Sequence, residues 1–99
     1  MAKEVLLTPR AINNYEQIVS YLVRNWGITA ANNFIDRFRE VIEILSENSE
    51  IFPFEDNVKR VQKCILTKHN ILYFKETNVI RIISIFDTRQ NPKKLLSII

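Results

Sequence analysis

One glycine, Gly27, separates two stretches in which apolar residues recur every three or four positions, and that rhythm stops near residue 47. A period of 3.6 marks helices with one buried face, so the first half of the chain supplies two of them. Ala11, Tyr15, Ile18 and Leu22, flanked by Ile12, Val19 and Trp26, form the stripe of a helix over about residues 9–26. Thr8 suits its N-cap and Pro9 its first helical position, where a missing N–H costs nothing. Gly27 stands where a left-handed C-terminal cap is wanted. Thr29 then starts a second helix with the stripe Ala31, Phe34, Ile35, Phe38, Val41, Ile42 and Leu45, ending about Glu47. The short Gly27–Thr29 link predicts an antiparallel helix pair. Asp36, Arg37, Arg39, Glu40 and Glu43 read as its solvated face, and Trp26 and the six Phe as core.

Beyond residue 57 the composition changes to β-branched and aromatic residues, the material of strands. Val58–Leu66, Ile71–Lys75 and Val79–Phe86 are separated by Lys68-His69-Asn70 and Glu76-Thr77-Asn78, short polar links that suit hairpin turns. These predict a three-stranded antiparallel meander. Residues 3–7, KEVLL, read as a short N-terminal strand, and 46–57, SENSEIFPFEDN, as a loop anchored by Phe52 and Phe54. The expected fold is therefore α+β: strand, antiparallel helix pair, then meander, with the helices packed on one side of a small sheet.

The 99 residues amount to one domain, 1–99, long enough for one core. Cys64 is the only cysteine, so no internal disulfide forms, which fits a reducing compartment. The N-terminus lacks the apolar core of a signal peptide, and no run approaches the roughly 20 apolar residues of a membrane helix. A soluble, cytoplasmic protein without membrane contact is expected. Charge is distributed unevenly. Residues 1–49 hold five Lys/Arg against six Asp/Glu (−1), whereas residues 50–99 hold nine against five (+4). The basic half points to an acidic partner, nucleic acid or protein, or else to a solvated face.

One His and one Cys cannot supply a zinc site with the usual ligand spacing, and one glycine cannot make a phosphate-binding loop. No metal or cofactor is expected. His69, at a predicted turn, is either a general acid–base group or a solvated histidine. Cys64 reads as a small buried apolar residue. What remains is cationic: Lys59, Arg60, Lys63, Lys68, Arg81, Arg89, Lys93 and Lys94. Arg81 interrupts an apolar strand and so needs a partner or water, either an ion pair with Glu76 or Asp87 or a ligand. Arg89 follows the last strand in the turn DTRQNPKK, where Pro92 stops further pairing.

Three segments, LTPRAINNYEQIVSYL, KCILTKHNILYFKE and IRIISIFDTRQNPKKL, together with the order of elements, resemble the RelE/ParE superfamily of toxins from type II toxin–antitoxin systems, the plasmid-stabilisation type. The resemblance spans nearly the whole chain and sets Tyr73 on the family's strand tyrosine and Arg89 and Pro92 in its terminal loop. It implies one fold and two activities: ribosome-dependent mRNA cleavage, or poisoning of DNA gyrase. It also implies growth inhibition, and silencing by a cognate antitoxin in a hetero-oligomer.

In the nuclease branch the residues available for catalysis here are Lys63, His69, Arg81 and Arg89. That branch commonly opens the second meander strand with a basic residue, where this chain has Asn70, and ends with Tyr or His and Tyr, absent from Asn91 to Ile99. Acid–base groups contribute about 10²–10⁴-fold each, so their loss favours the ParE-like, non-enzymatic branch. That reading assigns Arg60, Lys63, Arg81, Arg89, Lys93 and Lys94 to the target surface. Leu95, Leu96, Ile98 and Ile99 either pack on the sheet or offer an apolar strip to the antitoxin. An inactivated toxin homologue that only grips its antitoxin is the competing class.

Overall fold

A computed structural model of the chain describes residues 2–88. It comprises β1 (Val5–Leu7), α1 (Pro9–Trp26), α2 (Ile28–Asn48), a 3₁₀ turn (Ser49–Ile51), β2 (Phe54–Asp56), β3 (Val61–Thr67), β4 (Asn70–Glu76) and β5 (Ile80–Asp87). The five strands form one sheet in the order β1-β5-β4-β3-β2. β3, β4 and β5 are the antiparallel meander, β1 lies parallel to β5, and β2 pairs antiparallel with β3. The helices cover one side of this sheet, as their apolar stripes require.

Local chemistry sets the ends of the elements. Thr8 Oγ1 accepts from the Ala11 N–H at 3.1 Å, capping α1, and donates to the Ile83 carbonyl at 2.7 Å. One hydroxyl therefore starts the helix and fastens it to the edge of β5. Thr8→Ala should destabilise the fold by about 1–2 kcal/mol, read as a lowered denaturation midpoint with an unchanged m-value.

Gly27 has φ +94 and ψ 173, a positive-φ conformation distinct from the left-handed helical cap expected of it. Its N–H donates to the Leu22 carbonyl and its own carbonyl accepts from Ala31. The single residue thus ends α1 and begins α2, which starts at Ile28, and Thr29 lies inside the helix. A β-carbon would strain this φ although the space around it is open.

The main core lies between the helices and the sheet. Ala11, Phe34, Phe38, Val41 and Leu45 meet Cys64, Leu66, Leu72, Phe74, Ile80, Ile82 and Ile85. Tyr15 packs on Phe34 and Phe38, and Phe52 meets Phe74 edge-on at 6.0 Å. A smaller cluster, Val61, Tyr73 and Phe86 with Ile71 and Ile83, lies apart from it. This matches the apolar residues of both parities in β4 and β5.

Four expectations need correction. Trp26 is 70% exposed, because it closes the last turn of α1 beyond the sheet; Phe54 is exposed at the sheet edge. Residues 54–56, read as loop, form the edge strand β2, too short to show a period. It is tied in by Gln62 Nε2, which donates to the Ser49 and Phe52 carbonyls, each at 3.0 Å, and by the Lys63 N–H to the Pro53 carbonyl. Val58 is 93% exposed in the turn before β3, where Asp56 Oδ1 accepts from the Lys59 N–H. Arg37, assigned to the solvated face, is half-buried: its Nε donates to the Leu66 carbonyl at 2.8 Å and Nη1 binds Glu40. It satisfies a β3 carbonyl next to the irregularity between Ile65 and Thr67.

Candidate functional site

The basic residues singled out in the sequence lie at different levels of the sheet. Cross-strand register fixes them: Lys75 is opposite Arg81, Lys63 opposite Tyr73, and Asn70 opposite Asp87. At one end, the turn before β3 carries Lys59 and Arg60, and the facing ends of β4 and β5 carry Lys75 and Arg81. At the other end, the β3–β4 turn carries Lys68 and His69. Thr88, the last described residue, is held there by hydrogen bonds from its N–H (2.9 Å) and hydroxyl (3.4 Å) to the His69 carbonyl. Arg89, Lys93, Lys94, Leu95, Leu96, Ile98 and Ile99 lie outside the described residues.

The electrostatic state of each cation differs. Lys63 Nζ binds Glu55 Oε2 at 3.1 Å. The Arg60 guanidinium lies 4.2 Å from the centre of the Phe54 ring, a cation–π contact, and its backbone has φ +58, a left-handed conformation that a non-glycine residue adopts at some cost. Arg81 is exposed, and Glu76, one of its expected partners, binds Lys3 at 2.6 Å instead. Among the described residues, neither Arg81 nor Lys75 makes an ion pair. The Glu76 carboxyl is held below its usual range by hydrogen bonds from Lys3 and Ser49.

The groups with acid–base potential are placed unequally. His69 is exposed and is one of the residues lining an open groove of about 830 Å³ at the sheet end, with Asn14, Tyr21, Trp26, Asn33 and Asp87. Register sets His69 and Arg81 roughly 20 Å apart along the sheet, beyond joint contact with one phosphodiester. Tyr73 is 1% exposed; burial first, and Glu55 second, push its phenol pKa up. Cys64 is buried and its thiol is pushed up by desolvation, against a smaller opposing effect of Arg37. It is a packing residue rather than a nucleophile. Ser84, opposite Tyr73, is fully buried and its hydroxyl has no hydrogen-bond partner among the described residues.

Two positioning residues escaped sequence reasoning. Asn14 Oδ1 accepts from the Ile85 N–H at 3.1 Å, so a side chain of α1 continues the edge bonding of β5 past the end of β1. Asn70 Nδ2 donates to Thr67 Oγ1 at 2.9 Å, closing the turn that carries His69. An Asn on a helix carries no sign of a partner 71 residues away.

Comparison with known proteins decides the family. The family model described as ParE toxin of the type II toxin–antitoxin system, parDE, matches residues 5–92. The chain belongs to the ParE toxin family. Among solved structures, the chromosomal ParDE toxin–antitoxin system from P. aeruginosa superimposes with TM-score 0.74 at 16% identity, covering 89% of this chain and 98% of that one. A chain of the YoeB–YefM complex from Staphylococcus aureus gives TM-score 0.57 at 14% identity, covering 87% and 97%. These likenesses bear on the fold. No curated protein sequence matches the chain. The family makes this ParE-type chain the toxin of a type II pair, with an antitoxin as its counterpart. Among the described residues no helix is long and apolar enough to cross a membrane, and no cluster of three His, Cys, Asp or Glu could hold a metal.

Proposed function

We propose that this ParE toxin inhibits growth by binding DNA gyrase in the cytoplasm, without itself cutting nucleic acid, and that a cognate antitoxin neutralises it. The observation that carries this reading is the separation of His69 from Arg81, Lys63 and Tyr73. His69 lies at one end of the sheet and Arg81 at the other, Lys63 is paired with Glu55, and Tyr73 is buried. Metal-free RNA cleavage needs a proton acceptor, a proton donor and a cation around one phosphate. His69, Lys63, Arg81 and Tyr73 form no such grouping.

Target contact in this reading comes from Arg89, Lys93 and Lys94, which follow Thr88 in the sequence. Arg60, Lys63 and Arg81 extend the basic surface along the sheet. Leu95, Leu96, Ile98 and Ile99 supply the antitoxin with an apolar strip, and its engagement would mask the cations beside it.

Purified protein is expected to inhibit gyrase supercoiling in a dose-dependent manner and to leave mRNA on translating ribosomes intact. Ribosome-dependent cleavage abolished by His69→Ala would favour the nuclease reading instead. Inactivity in both assays, with no growth arrest on induction without antitoxin, would leave an antitoxin-binding homologue.

A further inference from the structure

Lys75 lies outside the cations singled out in the sequence, and it is the register of the sheet that gives it meaning. Lys75 and Arg81 are directly opposite on adjacent antiparallel strands, with β-carbons about 5 Å apart, and both are exposed. Like charges in that position repel and lower the stability of the strand pair. The usual remedy is a carboxylate between them. Two carboxylates of this region are committed elsewhere, Glu55 to Lys63 and Glu76 to Lys3, and Glu4 and Asp56, at the same end of the sheet, make no ion pair with either cation. Among the described residues, no ion pair relieves Lys75 or Arg81.

We propose that Lys75 and Arg81 form an anion site for one phosphate group of a nucleic-acid backbone. A guanidinium fork engages both free oxygens of a phosphodiester at once, and the compact Lys75 ammonium neutralises the same charge from the neighbouring strand. The basic excess of residues 50–99, nine Lys/Arg against five Asp/Glu, favours a chain of such anions as the partner. Strands about 4.8 Å apart bring the two side chains within reach of one such group. The turn before β3 adds Arg60 on the same end of the sheet, already fixed against Phe54. The site lies at the opposite end of β5 from Thr88. The inference shares Arg81 with the target surface proposed above but requires neither gyrase nor antitoxin.

The test is fluorescence anisotropy with labelled dT12, with hexaglutamate as competitor, on the whole protein and its Lys75→Gln and Arg81→Gln variants. Arg39→Gln, on the exposed face of α2, removes the same charge elsewhere. Lys75→Gln and Arg81→Gln should each weaken dT12 binding roughly tenfold, with Arg39→Gln within about twofold of wild type. Together they should reduce the slope of log K against log salt by about 0.7, the share of one phosphate on a single strand. Both variants should melt at or above the wild-type temperature, since a repulsion has been removed.

Four results would each overturn the proposal. One is no binding of dT12 by the wild type. Another is an equal loss in Arg39→Gln. A lowered melting temperature in both variants would make the pair a structural one. Displacement of dT12 by hexaglutamate at matched charge would assign the site to acidic protein. Failure of the gyrase assay leaves this outcome unaffected, so the two readings fail separately.

Discussion

Reversing the charge of Arg89, Lys93 and Lys94 to Glu in one variant should abolish growth arrest while the protein still folds. Placing like charges across an interface costs several kcal/mol, so three reversals in one turn should weaken target binding by more than about a hundredfold. Three charged side chains are poor candidates for a core, so the variant should keep the wild-type far-UV spectrum and melting temperature. The measurements are growth after induction without antitoxin and supercoiling inhibition by the purified protein. A folded variant that arrests growth at wild-type potency would remove the DTRQNPKK turn from the target surface. Neutral substitution of His69, by contrast, should leave growth arrest unchanged if the ParE toxin acts without cleavage.

The largest expected effect on stability belongs to Phe74→Ala. Phe74 lies on β4, the middle strand of five, and is fully buried between the sheet and both helices. Its removal deletes an aromatic ring, the edge-on contact with Phe52, and the packing that holds the loop before β2. Such truncations cost about 3–5 kcal/mol. Against a typical domain stability of about 5–15 kcal/mol, that is at least about a fifth of the total. For a domain of this size the melting temperature should fall by roughly 15–30 °C. Trp26→Ala is the contrast. Trp26 is the larger ring but projects from the end of α1, so its removal should change stability by less than about 0.5 kcal/mol. Calorimetry of the two variants side by side checks both values, and a large loss in Trp26→Ala would mean that the open groove is closed in solution.

Lys3 Nζ bonds both Glu76 and the Thr77 carbonyl, while Ser46 Oγ donates to the Lys3 carbonyl. These bonds fasten the start of the chain to the end of α2 and to the β4–β5 turn. They belong to the scaffold that fixes the register of Lys75 and Arg81, at the end of the sheet away from Thr88.

Two helices, their caps at Thr8 and Gly27, and the three meander strands were legible in the residues because each is a local pattern. A 3.6-residue stripe can bury itself only as a helix, and β-branched runs between polar turns pair with their neighbours. Residues 54–56, the parallel contact of β1 with β5, the bond from Asn14 to Ile85 and that from Arg37 to Leu66 left no such mark, since each depends on segments distant in sequence arriving side by side. The same holds for charge. Composition alone established that the second half is basic. Only the register of the sheet divided those cations between two ends, committed Lys63 to Glu55, and left Lys75 facing Arg81, because electrostatic energy depends on distance in space and a sequence specifies only distance along the chain.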